Sequence, residues 1–78
     1  MTINWDEYKE YKNSRIDAKK LDNFQILLEF IRSYYNIQGA YEIFELLEDD
    51  SLAKMMLDKR NITQAEGLEI YIVKQLRS

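Results

Sequence analysis

The segment from Leu21 to Tyr35 constrains the fold of this chain more than any other. Asp22 precedes an apolar series, Phe24, Leu27, Leu28, Ile31, Tyr34 and Tyr35, that recurs at the spacing of one helix face. Its carboxylate can accept from the amides that a first helical turn leaves without intrahelical partners, and Leu21 and Ile26 stand at the two positions of a hydrophobic staple. Ile26 and Phe30 broaden the apolar face beyond a single stripe. A face that wide needs more than one neighbour, which predicts a helix at the centre of an all-α domain.

Further helix starts flank it. Asn4-Trp5-Asp6-Glu7 reads as an N-cap followed by acids that complement the helix dipole, and it predicts a first helix with Trp5, Tyr8, Tyr11 or Lys12, and Ile16 loosely on one side. Asn36-Ile37-Gln38-Gly39 is the break after the central helix, because Asn or Gly can take the left-handed conformation that ends one. A third helix should run from about Ala40 to Glu48 with Ala40, Ile43, Phe44 and Leu47 inward. Asp49-Asp50-Ser51 offers caps for a short fourth helix presenting Leu52, Met55 and Met56, and Lys59-Arg60-Asn61 suits its C-terminus. Thr63-Gln64-Ala65-Glu66 is a capping box that opens a last helix carrying Leu68, Tyr71, Ile72 and Leu76. The run Ile70-Tyr71-Ile72-Val73 has strand character, but length and the capping box decide for helix. The expected architecture is a compact all-α bundle of four to five short helices, with residues 1–78 as a single domain.

The chain has 78 residues and neither cysteine nor histidine. Thiolate and imidazole catalysis, zinc sites and haem ligation all require one or the other. Disulfide and metal staples, on which small domains often rely, are unavailable for the same reason, which leaves helix packing, helped by a partner chain. No catalytic residue, cofactor or metal site is expected, and the protein is read as not an enzyme. The first residues lack the basic and apolar regions of a signal peptide, and no apolar run approaches the ~18 residues of a membrane span. A cytoplasmic location with no membrane partner is expected. A net charge of −3 disfavours indiscriminate binding to nucleic acid. The bias toward Lys, Asn, Ile and Tyr, with no proline, would suit an AT-rich genome such as that of a phage or other mobile element.

Two surface features are candidates for binding. The first is an acidic face of Glu42, Glu45, Glu48, Asp49 and Asp50, with no Lys or Arg from position 40 to 53. Such a face could hold a cation, imitate phosphates or dock on a basic surface, although its spacing is not that of a calcium loop. The second is a basic segment, Lys9, Lys12, Arg15, Lys19 and Lys20, interleaved with Tyr8, Tyr11 and Ile16. Cations there could neutralise phosphates while rings stack on bases, but Glu7, Glu10, Asp17 and Asp22 nearly cancel the charge. One of Trp5, Tyr8, Tyr11, Tyr34 and Tyr35 is expected in an exposed patch, since so short a chain cannot surround them all.

A helix-turn-helix resemblance over Asn36 to about Leu57 fails at its acidic, glycine-free turn, which would repel DNA phosphates. Asp50-Ser51-Leu52 resembles the phosphopantetheine attachment tripeptide of acyl carrier proteins. That family places two further elements after the serine helix, for which residues 53–78 are too short, so Ser51 is read as a helix cap. The expected function is a small helical protein-protein interaction module, an adaptor, inhibitor or regulator acting by occlusion, with self-association as a further expectation. The partner-binding residues would be the acidic face together with Trp5, Tyr8, Tyr11, Lys12, Arg15 and Lys19. The alternative is a nucleic-acid-binding regulator that uses Lys9 to Lys20.

Overall fold

The computed structural model describes residues 2–77, with side chains through residue 75. Its elements are α1 (Trp5–Asn13), α2 (Asn23–Tyr34), α3 (Ala40–Glu48), α4 (Ser51–Lys59) and α5 (Ala65–Arg77), and among the described residues there is no strand. The all-α class expected from the helix starts is the one observed. The chain divides into two compact units, one of residues 4–37 and the other of the chain up to Ile3 together with residues from Gln38 onward.

In the first unit, Asn4 caps α1 by accepting from the Glu7 amide at 3.2 Å, with Asp6 and Glu7 in the first turn. Helix α1 ends at Asn13, where the Ser14 amide bonds back to the Glu10 carbonyl and its hydroxyl to the Tyr11 carbonyl. Ile16 therefore lies beyond the helix and is fully exposed, contrary to its expected place beside Trp5 and Tyr8. Helix α2 starts with a complete capping box: Asp22 accepts from the Phe24 amide, and the Gln25 side chain accepts from the Asp22 amide. Phe24, Ile26, Leu27, Leu28, Phe30 and Ile31 are all buried, as the width of the apolar face requires. Helix α1 packs on α2 through rings centred on Phe30, whose centroid lies 5.8 Å from Tyr8, 5.6 Å from Tyr11 and 5.0 Å from Tyr34. Tyr8 donates its hydroxyl hydrogen to the Asn23 carbonyl at 3.0 Å, and Tyr35 accepts from the Asn4 amide at 2.8 Å.

Asn36 takes the left-handed conformation after α2 at φ 56°, while Gly39 is extended and caps α3 without a side chain. Asn reaches this region at low cost because its short amide can bond locally.

In the second unit α3 packs against both α4 and α5, and its buried set is correspondingly broad: Ile43, Phe44, Leu46 and Leu47. Leu46 adds to the predicted inward residues, and Ala40 is half-buried. Helix α4 buries Ala53 and Leu57, one turn apart, and turns Leu52 and Met55 outward with Met56 half-buried. Its end is a Schellman motif, in which Asn61 is left-handed at φ 57°, its amide bonds to Asp58 and the Ile62 amide bonds to Leu57. Ile62 and Leu57 are both buried, which supplies the apolar contact of that motif.

Helix α5 is helical through the β-branched run, whose residues divide between faces. Tyr71 and Ile72 are half-buried, whereas Ile70 and Val73 are exposed. Its first carbonyl bond runs from the Leu68 amide to Gln64, so Gln64 and not Thr63 occupies the capping place. Leu68 is buried, and the Leu76 side chain lies outside the described residues. Among the described residues no helix is long and apolar enough to cross a membrane.

Candidate functional site

The outward side of α3 carries Tyr41, Glu42, Glu45 and Glu48, all exposed, and Asp49 follows at its end. Glu42, Glu45 and Asp49 sit at i, i+3 and i+7 and therefore share one side of the helix. Asp50 leaves this group. It is only 7% exposed, and its Oδ1 accepts from the Leu52 and Ala53 amides at 3.0 and 3.2 Å, while Oδ2 accepts from the Ile3 amide at 3.4 Å. Asp50 is thus the cap of α4, and Ser51, read from sequence as the cap, is its first helical residue. A carboxylate engaged by buried amides is unavailable to a partner. Among the described residues no three Asp or Glu side chains converge to hold a metal ion.

Beyond Asp49, α4 exposes Leu52 by 53% and Met55 by 62%. The two lie three residues apart on the side opposite Ala53 and Leu57, so they form one small apolar patch at the acidic end of α3. This patch was not separable from the core by spacing alone. Leu52, Ala53, Met56 and Leu57 also fit a helical stripe, and only packing selects between the two.

The basic segment separates into aromatic and cationic parts. Tyr8 is buried, and Trp5 and Tyr11 are half-buried, with Trp5 set edge-on to Tyr8 at 5.4 Å. Tyr8 therefore offers no ring face to a ligand. Burial first, and the Asp22 charge second, raise the pKa of its phenol above the ordinary value. Arg15 is engaged by the Asp17 carboxylate at 3.0 Å and by Glu29, and its guanidinium lies 6.0 Å from the centre of the Tyr11 ring. The hydrogen bond from Arg15 is the main cause that holds the exposed Asp17 carboxyl below its ordinary pKa. Lys12, Arg15 and Lys19 line an open cleft of about 630 Å³ together with Asn13, Ile16 and Asn23. Lys9 and Lys20 are exposed. The expected exposed aromatics include Tyr34, at 51%, while Tyr35 is half-buried. Tyr41, at 55%, is an exposed ring that the helix pattern did not single out.

No family model matches the sequence, and no curated protein and no solved structure matches the chain.

Proposed function

We propose that this protein acts by binding another protein through the outer side of α3 and α4, as an adaptor, inhibitor or regulator without catalysis. The observation that carries this reading is the exposure of Leu52 and Met55 beside the carboxylates of Glu42, Glu45, Glu48 and Asp49, in a stretch with no Lys or Arg until Lys54, which pairs with Asp58 at 3.9 Å. Burying what remains exposed of each apolar side chain contributes about 1–2 kcal/mol. The carboxylates mainly accelerate encounter with a basic surface and select against acidic ones.

The test is a pull-down with the tagged chain, with and without nuclease, repeated with Glu45→Lys/Asp49→Lys and with Leu52→Ser/Met55→Ser. A stoichiometric, nuclease-resistant protein should bind the parent and lose affinity at least about tenfold with each pair, while circular dichroism stays unchanged. Unaltered binding of that protein by both pairs would show that this face is only solvated.

A second reading rests on the cleft of Lys12, Arg15 and Lys19, which could take phosphates of a nucleic acid. Its expectation is retention of a labelled oligonucleotide at low salt that Lys12→Glu/Lys19→Glu abolishes. No retention by the parent disposes of it.

A further inference from the structure

Between α1 and α2 lies a second groove, of about 420 Å³, with the opposite character to the basic cleft. Phe30 is its buried floor, Tyr11 and Tyr34 are its aromatic walls, and Glu7 and Glu10 bring negative charge to the α1 side. No Lys or Arg is among its lining residues. Tyr34 stacks on Phe30 at 5.0 Å with the planes 16° apart and meets Tyr35 at 4.9 Å with the planes 84° apart, so Phe30 covers one face of the Tyr34 ring while the residue stays 51% exposed. Ring faces carry negative electrostatic potential, and two carboxylates reinforce it. The Tyr11 wall already carries the Arg15 guanidinium, so the exposed Tyr34 ring and the Glu7 and Glu10 rim are the parts that favour a further cation.

The chain itself holds one cation in this manner. The Arg15 guanidinium lies over the Tyr11 ring while carboxylates of Asp17 and Glu29 take its N–H groups. We infer that the groove between α1 and α2 is a receptor for an arginine side chain of a protein partner. The guanidinium stacks on the outer face of Tyr34 and directs its N–H groups to Glu7 and Glu10. A planar fork satisfies both demands at once, whereas the ammonium of lysine is a strongly hydrated point charge that cannot stack. The site uses residues of α1 and α2 alone, so it and the α3 and α4 surface stand or fall separately.

The experiment titrates the full isotope-labelled chain with the blocked peptides Gly-Arg-Gly, Gly-Lys-Gly and Gly-citrulline-Gly, following amide shifts. Citrulline keeps the shape of arginine and removes its charge. Saturable shifts at Glu10, Ser33 and Tyr34 are expected with the arginine peptide, with the citrulline and lysine peptides about tenfold and about threefold weaker. Tyr34→Leu keeps apolar bulk but removes the ring, and Glu7→Gln/Glu10→Gln keeps shape but removes charge. Each should weaken the arginine peptide about fivefold. Equal affinity for arginine and citrulline, shifts confined to α3, or no saturable shift would overturn the inference, and so would lysine binding as tightly as arginine.

Discussion

Replacing Asp50 by alanine should destabilise this protein far more than replacing its neighbour Asp49. Two losses add. Removing the cap of α4 deprives the Leu52 and Ala53 amides of their acceptor, which costs about 1 kcal/mol. The Ile3 amide, whose residue is 4% exposed, loses its acceptor as well, and a buried donor left without one costs about 1–3 kcal/mol. The Ile3 bond is long at 3.4 Å, which places its share at the lower end and the sum at roughly 2–3 kcal/mol. A chain of 78 residues has about 4–12 kcal/mol in total, so the loss is a large fraction of it. The melting temperature should fall by roughly 10–20 °C. Urea titration followed by far-ultraviolet circular dichroism measures the difference, with Asp49→Ala expected within about 0.5 kcal/mol of the parent. Asp50→Ser retains a cap for α4 but is too short to hold Ile3, and should recover about half of the loss. If Asp50→Ala and Asp49→Ala prove equally mild, Asp50 is one more surface charge and the three hydrogen bonds contribute nothing.

Other consequences follow from the same contacts. Tyr8→Phe removes the bond to the Asn23 carbonyl and should cost about 1 kcal/mol at neutral pH by urea titration. Because the phenol pKa is raised in the fold, its contribution is complete below pH 10 and is lost as pH rises through the raised value. The parent should therefore lose stability more steeply than Tyr8→Phe in alkaline titration. Asp17 behaves oppositely. Its depressed pKa stabilises the fold above the ordinary value of 3.8 and ceases to do so as pH falls through the lower folded value, so Arg15→Gln should flatten the acid limb of the stability curve. Leu57→Ala, in a buried position, should cost about 2–5 kcal/mol by urea titration, whereas Leu52→Ala should stay within about 0.5 kcal/mol. Equal costs would mean that α4 is rotated from the orientation described.

The helix starts were legible along the chain because capping is local. Asn4, Asp22 and the Asp49-Asp50-Ser51 cluster each mark a place where a side chain can satisfy first-turn amides within three residues, and those helices begin there. The apolar series after Asp22 likewise carried its own periodicity, and the last helix absorbed a β-branched run because its length and polar opening outweighed local strand preference.

Tertiary structure alone decided which of several equivalent polar or apolar residues turns inward. Asp49 and Asp50 are identical in sequence terms. One is exposed, and the other is buried because the Ile3 amide, forty-seven positions away, requires an acceptor. Ala53 and Leu57 won the inner side of α4 over Leu52 and Met55, a choice that helical spacing in α4 left open. Tyr8 and Tyr11 turned toward Phe30 while Lys12, Arg15 and Lys19 came to line an open cleft, dividing one interleaved segment into an aromatic cluster and a charged cleft. Periodicity records that a helix has two sides. The identity of the inner one depends on what packs against it, a contact between residues too distant in sequence for any local pattern to encode.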